Sequence, residues 1–419
     1  MRLSDELLAF IRSEDLLVDG VTWVDGHVTT PHGFRASAVE AGIRGKKRLD
    51  FALLFSDLPA SVAAVFTKNK VKAAPVLLNM ERVRSGVARG LLANSGIANA
   101  CTGEAGLEAA KRLAAGGAAA LGVPEEQMLD ISTGVIGEQL PVEQMEKKIP
   151  ELVEKLSPDG GEDFARAVMT TDTRPKMAAV EVHLSGGTVR IGGVAKGAGM
   201  IHPNMATMLA FLTTDAHVPA RELHDALVEA VDVSLNALTV DGDMSTNDTV
   251  FLFANAASGV DAAAEADDWS RFRSGLKAVC VSLARQIAAD GEGASKWVTV
   301  QVRGAASTED ARKAAREIAN SLLVKTAIAG GDANWGRVVA SLGASGAGVD
   351  LQRLVVRLDG VVFFQNGAPV QVAAADEARV FSGPGVEIEL DLGLGEGEAV
   401  MYTCDITKEY VHINGSYRT

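Results

Sequence analysis

Three cysteines are all that 419 residues contain, and Cys101, Cys280 and Cys404 lie far apart with no Cys-x-x-Cys pair. That spacing excludes a zinc ribbon and offers no disulfide framework, so a reducing, cytoplasmic setting without a bound metal is expected. Aromatic residues are scarce at 5%, and acidic residues outnumber basic ones 54 to 40, for a net charge of −14. A chain of that sign repels phosphate backbones and has few rings to stack on bases, which argues against a nucleic-acid partner. Long apolar runs are missing as well; none approaches the roughly 18 residues that a membrane span requires. Nor do the first residues read as a signal peptide. Ser4 instead opens a short amphipathic helix with Leu7, Leu8 and Ile11 on one face, interrupted by acidic residues.

What is present suits a large, ordinary globular core: 47% hydrophobic residues and 22% charged ones, over a length expected to form two or three domains. Strand-like and helix-like segments alternate along the whole chain. Arg89–Ala93, the pair Val180–Leu184 and Val189–Ile191 about Ser185-Gly186-Gly187, Thr249–Phe253, Trp297–Val302 and Val386–Leu392 read as strands. Gly106–Leu121, Pro141–Leu156, Arg221–Leu235 and Trp269–Ala289 read as helices, and Ser307-Thr-Glu-Asp as a capping box for another. No repeat of 20 to 50 residues is visible. The expected class is therefore α/β (or α+β), built as two interlocked mixed halves.

One stretch organises the rest: Lys196-Gly-Ala-Gly-Met-Ile-His-Pro-Asn-Met-Ala-Thr-Met-Leu-Ala-Phe211. A glycine-relaxed polar loop gives way to an apolar run, with Thr207 at the seam and the small Ala206 before it. A threonine hydroxyl is a weak nucleophile until a base sits beside it, and the residue's own α-amine can be that base. An α-amine titrates near pH ~8 and so works at neutral pH, but only after the bond to Ala206 is cut. The plainer alternative is that Thr207 caps a buried helix beginning Met-Leu-Ala-Phe.

Other stretches have two readings each. Asp130-Ile-Ser-Thr-Gly-Val-Ile-Gly137 could present the hydroxyl of Thr133 and backbone N–H groups at one point, as an oxyanion hole requires, or simply start a helix. Met169-Thr-Thr-Asp-Thr173 is a turn or part of a pocket. Thr67-Lys-Asn-Lys-Val-Lys72 is better read as a solvated edge than as an anion site. Asp241–Asp248 lacks the downstream glutamate of a calcium loop, and Gly330–Arg337 lacks the Gly-Lys-Ser/Thr ending of a phosphate loop.

Taken in order, several of these motifs resemble one family nearly end to end. They are Lys196-Gly-Ala-Gly-Met, Asn-Met-Ala-Thr207-Met-Leu, Thr239-Val-Asp-Gly-Asp with Ser245-Thr-Asn-Asp, and Asp290-Gly-Glu-Gly-Ala. Leu323-Val-Lys-Thr, Asp332-Ala-Asn-Trp-Gly-Arg and the terminal Tyr410-Val-His-Ile-Asn…Thr419 complete the set. They resemble the ornithine acetyltransferase family, the glutamate N-acetyltransferases of arginine biosynthesis. The resemblance implies a self-cleaving enzyme with an α chain of 1–206 and a β chain of 207–419, two of each in the assembly. The implied fold is the family's own rather than the common N-terminal-nucleophile sandwich. The implied reaction moves acetyl from N2-acetylornithine to glutamate through an ester on Thr207. It needs no cofactor, and acetyl-CoA is an additional acetyl donor in some members. By the same resemblance Thr133 and Gly134 form the oxyanion hole, and Thr170, Lys196, Thr207, Glu292, Asn414 and Thr419 contact substrate.

A related self-processing threonine aminopeptidase or amidase would use the same threonine and hand the acyl group to water. An uncleaved scaffold protein would keep Thr207 buried. Two positions depart from the family pattern: Ile97 stands where an asparagine is expected, removing a polar group near the pocket, and Ser295 stands for a threonine.

Overall fold

The computed structural model describes residues 3–45, 47–202 and 208–416. The larger of its two sheets has nine strands: β1 (Val21–Val24), β2 (Phe34–Val39), β3 (Phe51–Phe66), β4 (Val87–Ile97), β5 (Met128–Val135), β6 (Lys176–Leu184), β7 (Gly187–Lys196), β8 (Leu209–Thr214) and β9 (Thr249–Ala254). In space they run β1-β6-β7-β8-β9-β3-β4-β5, with β2 paired to β3. Most pairs are antiparallel, while β4 with β5 and β8 with β9 are parallel. The two strands that follow residue 207 thus lie inside the sheet, between strands that precede it.

Burial on both faces explains β8 and β9. All six residues of β8 are buried. Ala210 and Leu212 face a core shared with Leu223, Leu227 and Leu283 of the helices Ala220–Asp232 and Ala266–Ala288. Leu209 and Phe211 face the opposite core, where Phe211 packs edge-on against Phe164 at 4.9 Å and stacks on Phe251 at 6.2 Å. A period of two that is apolar on both faces reads as one continuous hydrophobic run. Where a helix beginning Met-Leu-Ala-Phe was the plainer alternative, Leu209–Phe211 opens a strand.

The smaller sheet holds β10 (Trp297–Ala305), β11 (Val355–Leu358), β12 (Val361–Gln365), β13 (Ala368–Pro369), β14 (Gly385–Asp391) and β15 (Gly397–Cys404), in the order β13-β12-β11-β14-β10-β15. The helix Thr308–Asn320 lies across it, its Ala311, Ala314, Ala315 and Ile318 in one core with Val298, Val300 and Val302. That helix starts as expected, with the Ser307 hydroxyl accepting from Asp310 N at 3.2 Å. The two sheets meet where Thr239 N donates to the Tyr402 carbonyl at 3.0 Å and Phe10 stacks on Trp297 at 5.4 Å.

One helix expectation needs correction. Pro141–Leu156 is two short helices, Val142–Glu146 and Ile149–Glu154, the second taking Pro150 in its first turn. Lys68 and Lys70 are exposed, as a solvated segment would have them. Among the described residues no helix is long and apolar enough to cross a membrane.

Candidate functional site

A cavity of about 290 Å3 opens where the ends of β5 and β7 meet the helix Lys408–Ser416. Thr133, Gly134, Thr170, Lys196, Glu292 and Asn414 all line it. Ala206, Thr207 and Thr419 lie outside the described residues. The chain resumes at the buried Met208, and Leu209 pairs with Lys196 across the β7–β8 ladder, so the segment carrying Thr207 leaves and rejoins the sheet beside a cavity-lining lysine.

Ser132-Thr133-Gly134 is the end of β5 rather than a turn, in parallel register with Asn94-Ser95-Gly96. Gly134 has φ +133°, and a Cβ there would fall 2.2 Å from the carbonyl carbon of Gly96. Only glycine tolerates both the angle and the approach. Asn247, also in the cavity lining, braces this edge, its amide donating to the carbonyls of Ser132 and Ala98, both at 2.7 Å.

Lys196, at the last position of β7, is 3% exposed and reaches Thr170 Oγ1 at 3.3 Å. Burial holds its ammonium below the usual lysine range, against the opposing pull of Asp172 and Asp248. Behind it sits a buried ion triad: Lys176 Nζ donates to Asp172 Oδ1 and Asp290 Oδ2, each at 2.6 Å. Burial alone would raise the Asp172 carboxyl, but Lys176, Lys196 and the N–H groups of Thr170 and Gly197 hold it well below the ordinary range. The Thr170 loop, β6 and the segment after helix Ala266–Ala288 are locked together by this one ammonium.

Glu292 is almost fully buried, accepts from Asn414 Nδ2 at 2.7 Å and anchors its backbone N–H on the Ala198 carbonyl at 2.8 Å. In the same lining the Asp241 carboxylate receives the N–H groups of Met200 (2.6 Å) and Ile201 (2.8 Å) and the Tyr410 hydroxyl (3.3 Å). Burial raises Asp241 despite those donors. Met200 takes φ +56°, a left-handed conformation in a residue that carries a Cβ, held there by this clamp. Asp241 and Tyr410 thus tie the loop leading to Thr207 to the C-terminal helix.

The remaining family-like motifs have structural work. Lys325, fully buried, donates to Thr403 Oγ1 at 2.5 Å and to the Cys404 carbonyl, fixing the chain that enters the C-terminal helix. Asn334 caps the helix Trp335–Ala344, and Arg337 donates to the Leu323 carbonyl at 2.8 Å. Ile97 does not line the cavity; its side chain belongs to the apolar cluster of Ile43, Leu113 and Leu140, so the expected loss of a polar group falls on the core side. Ser295 bonds Asp405 through its hydroxyl and N–H, the contacts a threonine hydroxyl would supply.

Sequence reasoning did not single out Lys176, Asp241, Asn247 or Tyr410. For Lys176 the signal was a charged residue heading the otherwise apolar Lys176–Val180 run, while Asp241, Asn247 and Tyr410 lie inside the family-like motifs without a role having been assigned to each. Among the described residues no group of three His, Cys, Asp or Glu side chains is arranged to hold a metal ion. A carboxylate, an ammonium, hydroxyls and a glycine-edged strand end in one cavity can hold a small zwitterion and polarise a carbonyl.

A family model described as the ArgJ family matches residues 35–419. The chain is 50% identical to the arginine biosynthesis bifunctional protein ArgJ of Symbiobacterium thermophilum, over 95% of this chain and 100% of that one. It is also 50% identical to the protein of the same name from Geobacter sulfurreducens, over 92% and 99%. A solved chain of ornithine acetyltransferase complexed with ornithine, from Mycobacterium tuberculosis, is 38% identical over 44% of this chain and 98% of that one, with a TM-score of 0.41. Matched along nearly its whole length to a family model and to relatives half identical to it, this chain belongs to the ArgJ family.

Proposed function

We propose that Thr207 carries the acetyl group in this cavity, after the Ala206–Thr207 bond is cut and its α-amine freed. As an ArgJ-family enzyme the protein serves acetyl transfer in arginine biosynthesis. In the proposed first half-reaction Thr207 Oγ attacks the acetyl carbon of N2-acetylornithine while its α-amine takes the hydroxyl proton. The oxyanion meets donors at Thr133 and Gly134. Collapse breaks the C–N bond, the proton passes to the departing ornithine amine, and the acetyl group remains on Oγ as an ester. Glutamate then attacks the ester through its α-amine and leaves as N-acetylglutamate. Two half-reactions through one covalent intermediate give ping-pong kinetics.

The chemistry of the lining fits both substrates. Lys196 suits the α-carboxylate that ornithine and glutamate share, with Thr170 beside it. Glu292, oriented by Asn414, suits the ornithine side-chain cation. The role of Thr419 rests on family resemblance alone, as do the α- and β-chain division at 206/207, the assembly of two of each, and acetyl-CoA as a second donor. Transfer to water, as by an aminopeptidase, is not favoured by relatives named for biosynthesis.

The observation that carries the reading is the convergence of six residues, drawn from positions 133 to 414, on one cavity next to the loop that contains Thr207. The test is a denaturing intact-mass spectrum with an acetyl-transfer assay on wild type and Thr207→Ala. Wild type should give fragments of 1–206 and 207–419 and acetylate glutamate, and the variant should do neither. Transferase activity retained in a sequence-verified Thr207→Ala protein refutes the mechanism.

A further inference from the structure

A second cavity, of about 490 Å3, lies at the seam between the two sheets, walled by the helices Ala266–Ala288 and Thr308–Asn320 and by β10 and β15. Its lining is cationic in a chain of net charge −14: Lys68, Lys277, Arg285, Arg312 and Arg316. Three carboxylates share the wall, and two of them are engaged, Asp232 by Arg312 at 2.5 Å and Asp15 by the Ser13 hydroxyl. The third, Glu398, is exposed. Among the described residues no carboxylate is in ion-pair contact with Lys68, Lys277, Arg285 or Arg316.

Two further facts make this more than a stray surplus. The Nε groups of Arg285 and Arg316 are both buried without a hydrogen-bond partner, and a donor stranded in that way costs about 1–3 kcal/mol. Arg312 and Arg316 stand four residues apart on one helix; Asp232 compensates Arg312, which leaves Arg316 as the uncompensated member of the pair. Arg285 is nevertheless held rigidly, its guanidinium 5.1 Å from the Phe10 ring centre and 5.2 Å from that of Tyr402. Val281, Val400 and Met401 supply an apolar floor beside these cations.

We propose that this cavity binds a phosphorylated small molecule, its phosphate held by Arg316, Lys277 and Arg285 and its organic part laid on Val281 and Met401. Five cations against three carboxylates leave two positive charges, matching a phosphomonoester dianion, and guanidinium forks suit phosphate oxygens. The site stands apart from the catalytic cavity and does not depend on the role given to Thr207. It is nonetheless wired to it. Tyr402, in its wall, accepts from Thr239 N, and the Thr239 hydroxyl contacts both Asn320, on the helix of Arg316, and the Ile201 carbonyl at 3.0 Å. These hydrogen bonds run from the cavity wall to Ile201, in the loop held by Asp241.

The test is calorimetric titration of the full-length protein with inorganic pyrophosphate at fixed ionic strength, beside Lys277→Gln/Arg316→Gln and Lys196→Met. Wild type and Lys196→Met should bind one pyrophosphate per chain alike, and the double variant at least about tenfold more weakly, having lost two charge-assisted contacts. Absence of saturable binding by wild type overturns the assignment. So does equal affinity in the double variant, which marks an adventitious ion only, and so does loss of binding in Lys196→Met, which places the anion in the catalytic cavity. Should the double variant not fold, Lys277→Gln alone, at an exposed position, replaces it: weaker binding supports the site and unchanged binding overturns it.

Discussion

The Glu292 carboxyl group rests against the Cα of Gly199, so closely that a Cβ on Gly199 would fall 2.4 Å from it. Gly199→Ala therefore displaces the carboxylate and with it the 2.7 Å bond to Asn414. We expect kcat/KM with N2-acetylornithine to fall by about 10- to 100-fold, as misplacing a positioning group does, with self-cleavage still complete by mass. Undiminished turnover would mean that Glu292 does not touch the substrate.

Lys196→Met keeps the length of a side chain that is 3% exposed and deletes its charge. KM for both amino-acid substrates should rise about tenfold or more, each decade costing about 1.4 kcal/mol, while the fragments 1–206 and 207–419 still form. Because burial lowers the lysine pKa, wild-type KM should begin to climb at a lower alkaline pH than an ordinary lysine would give. A pH-independent KM up to the ordinary lysine range would remove Lys196 from carboxylate binding.

Lys176→Met leaves Asp172 and Asp290 facing each other without their shared cation. Breaking a buried pair in that way costs about 3–5 kcal/mol, and urea denaturation should show a loss of that order. The Asp172 carboxyl sits below its unfolded value, so its contribution is present at neutral pH and is lost as pH falls. The wild-type advantage over Lys176→Met should accordingly shrink in acid, and a gap constant with pH would contradict the triad's role.

Asp130 is the opposite case. Burial raises its carboxyl to about 8, and neither oxygen has a hydrogen-bond partner. The folded state therefore holds a proton that the unfolded chain releases near pH ~3.9, so stability falls as pH rises from there towards 8. Asp130→Asn, which cannot ionise, should have a higher urea midpoint than wild type at pH 8, with a smaller difference at pH 5. Equal differences at both pH values would show that Asp130 is already ionised.

Local signals were legible in the sequence alone. Ser4 and Ser307 cap the helices they were expected to cap, and Ser185-Gly186 joins two paired strands. Thr133, Gly134, Lys196 and Glu292 were named from motif and chemistry, and they open on one cavity. What escaped was long-range. Lys176 and Asp290 are 114 residues apart, and only the closing of β6 onto the end of helix Ala266–Ala288 makes them partners. Asp241 looked like part of a failed calcium loop because its ligands are the N–H groups of Met200 and Ile201, which no spacing reveals. Ile97 suggested a damaged pocket, because a strand's sequence does not say which face a missing amide would have occupied.

β8 is bonded on one side to β7 and on the other to β9. A chain severed between Lys196 and Leu209 would not come apart, since its new end begins one of the innermost strands and is stitched into the sheet along both edges. Two polypeptides that had never been one would instead have to bring β8 and β9 together between β7 and β3. In the proposed cleaved form β8 would hold its place, so the cut would leave the fold intact and the lost tether between β7 and β8 would slow only the refolding of a melted chain.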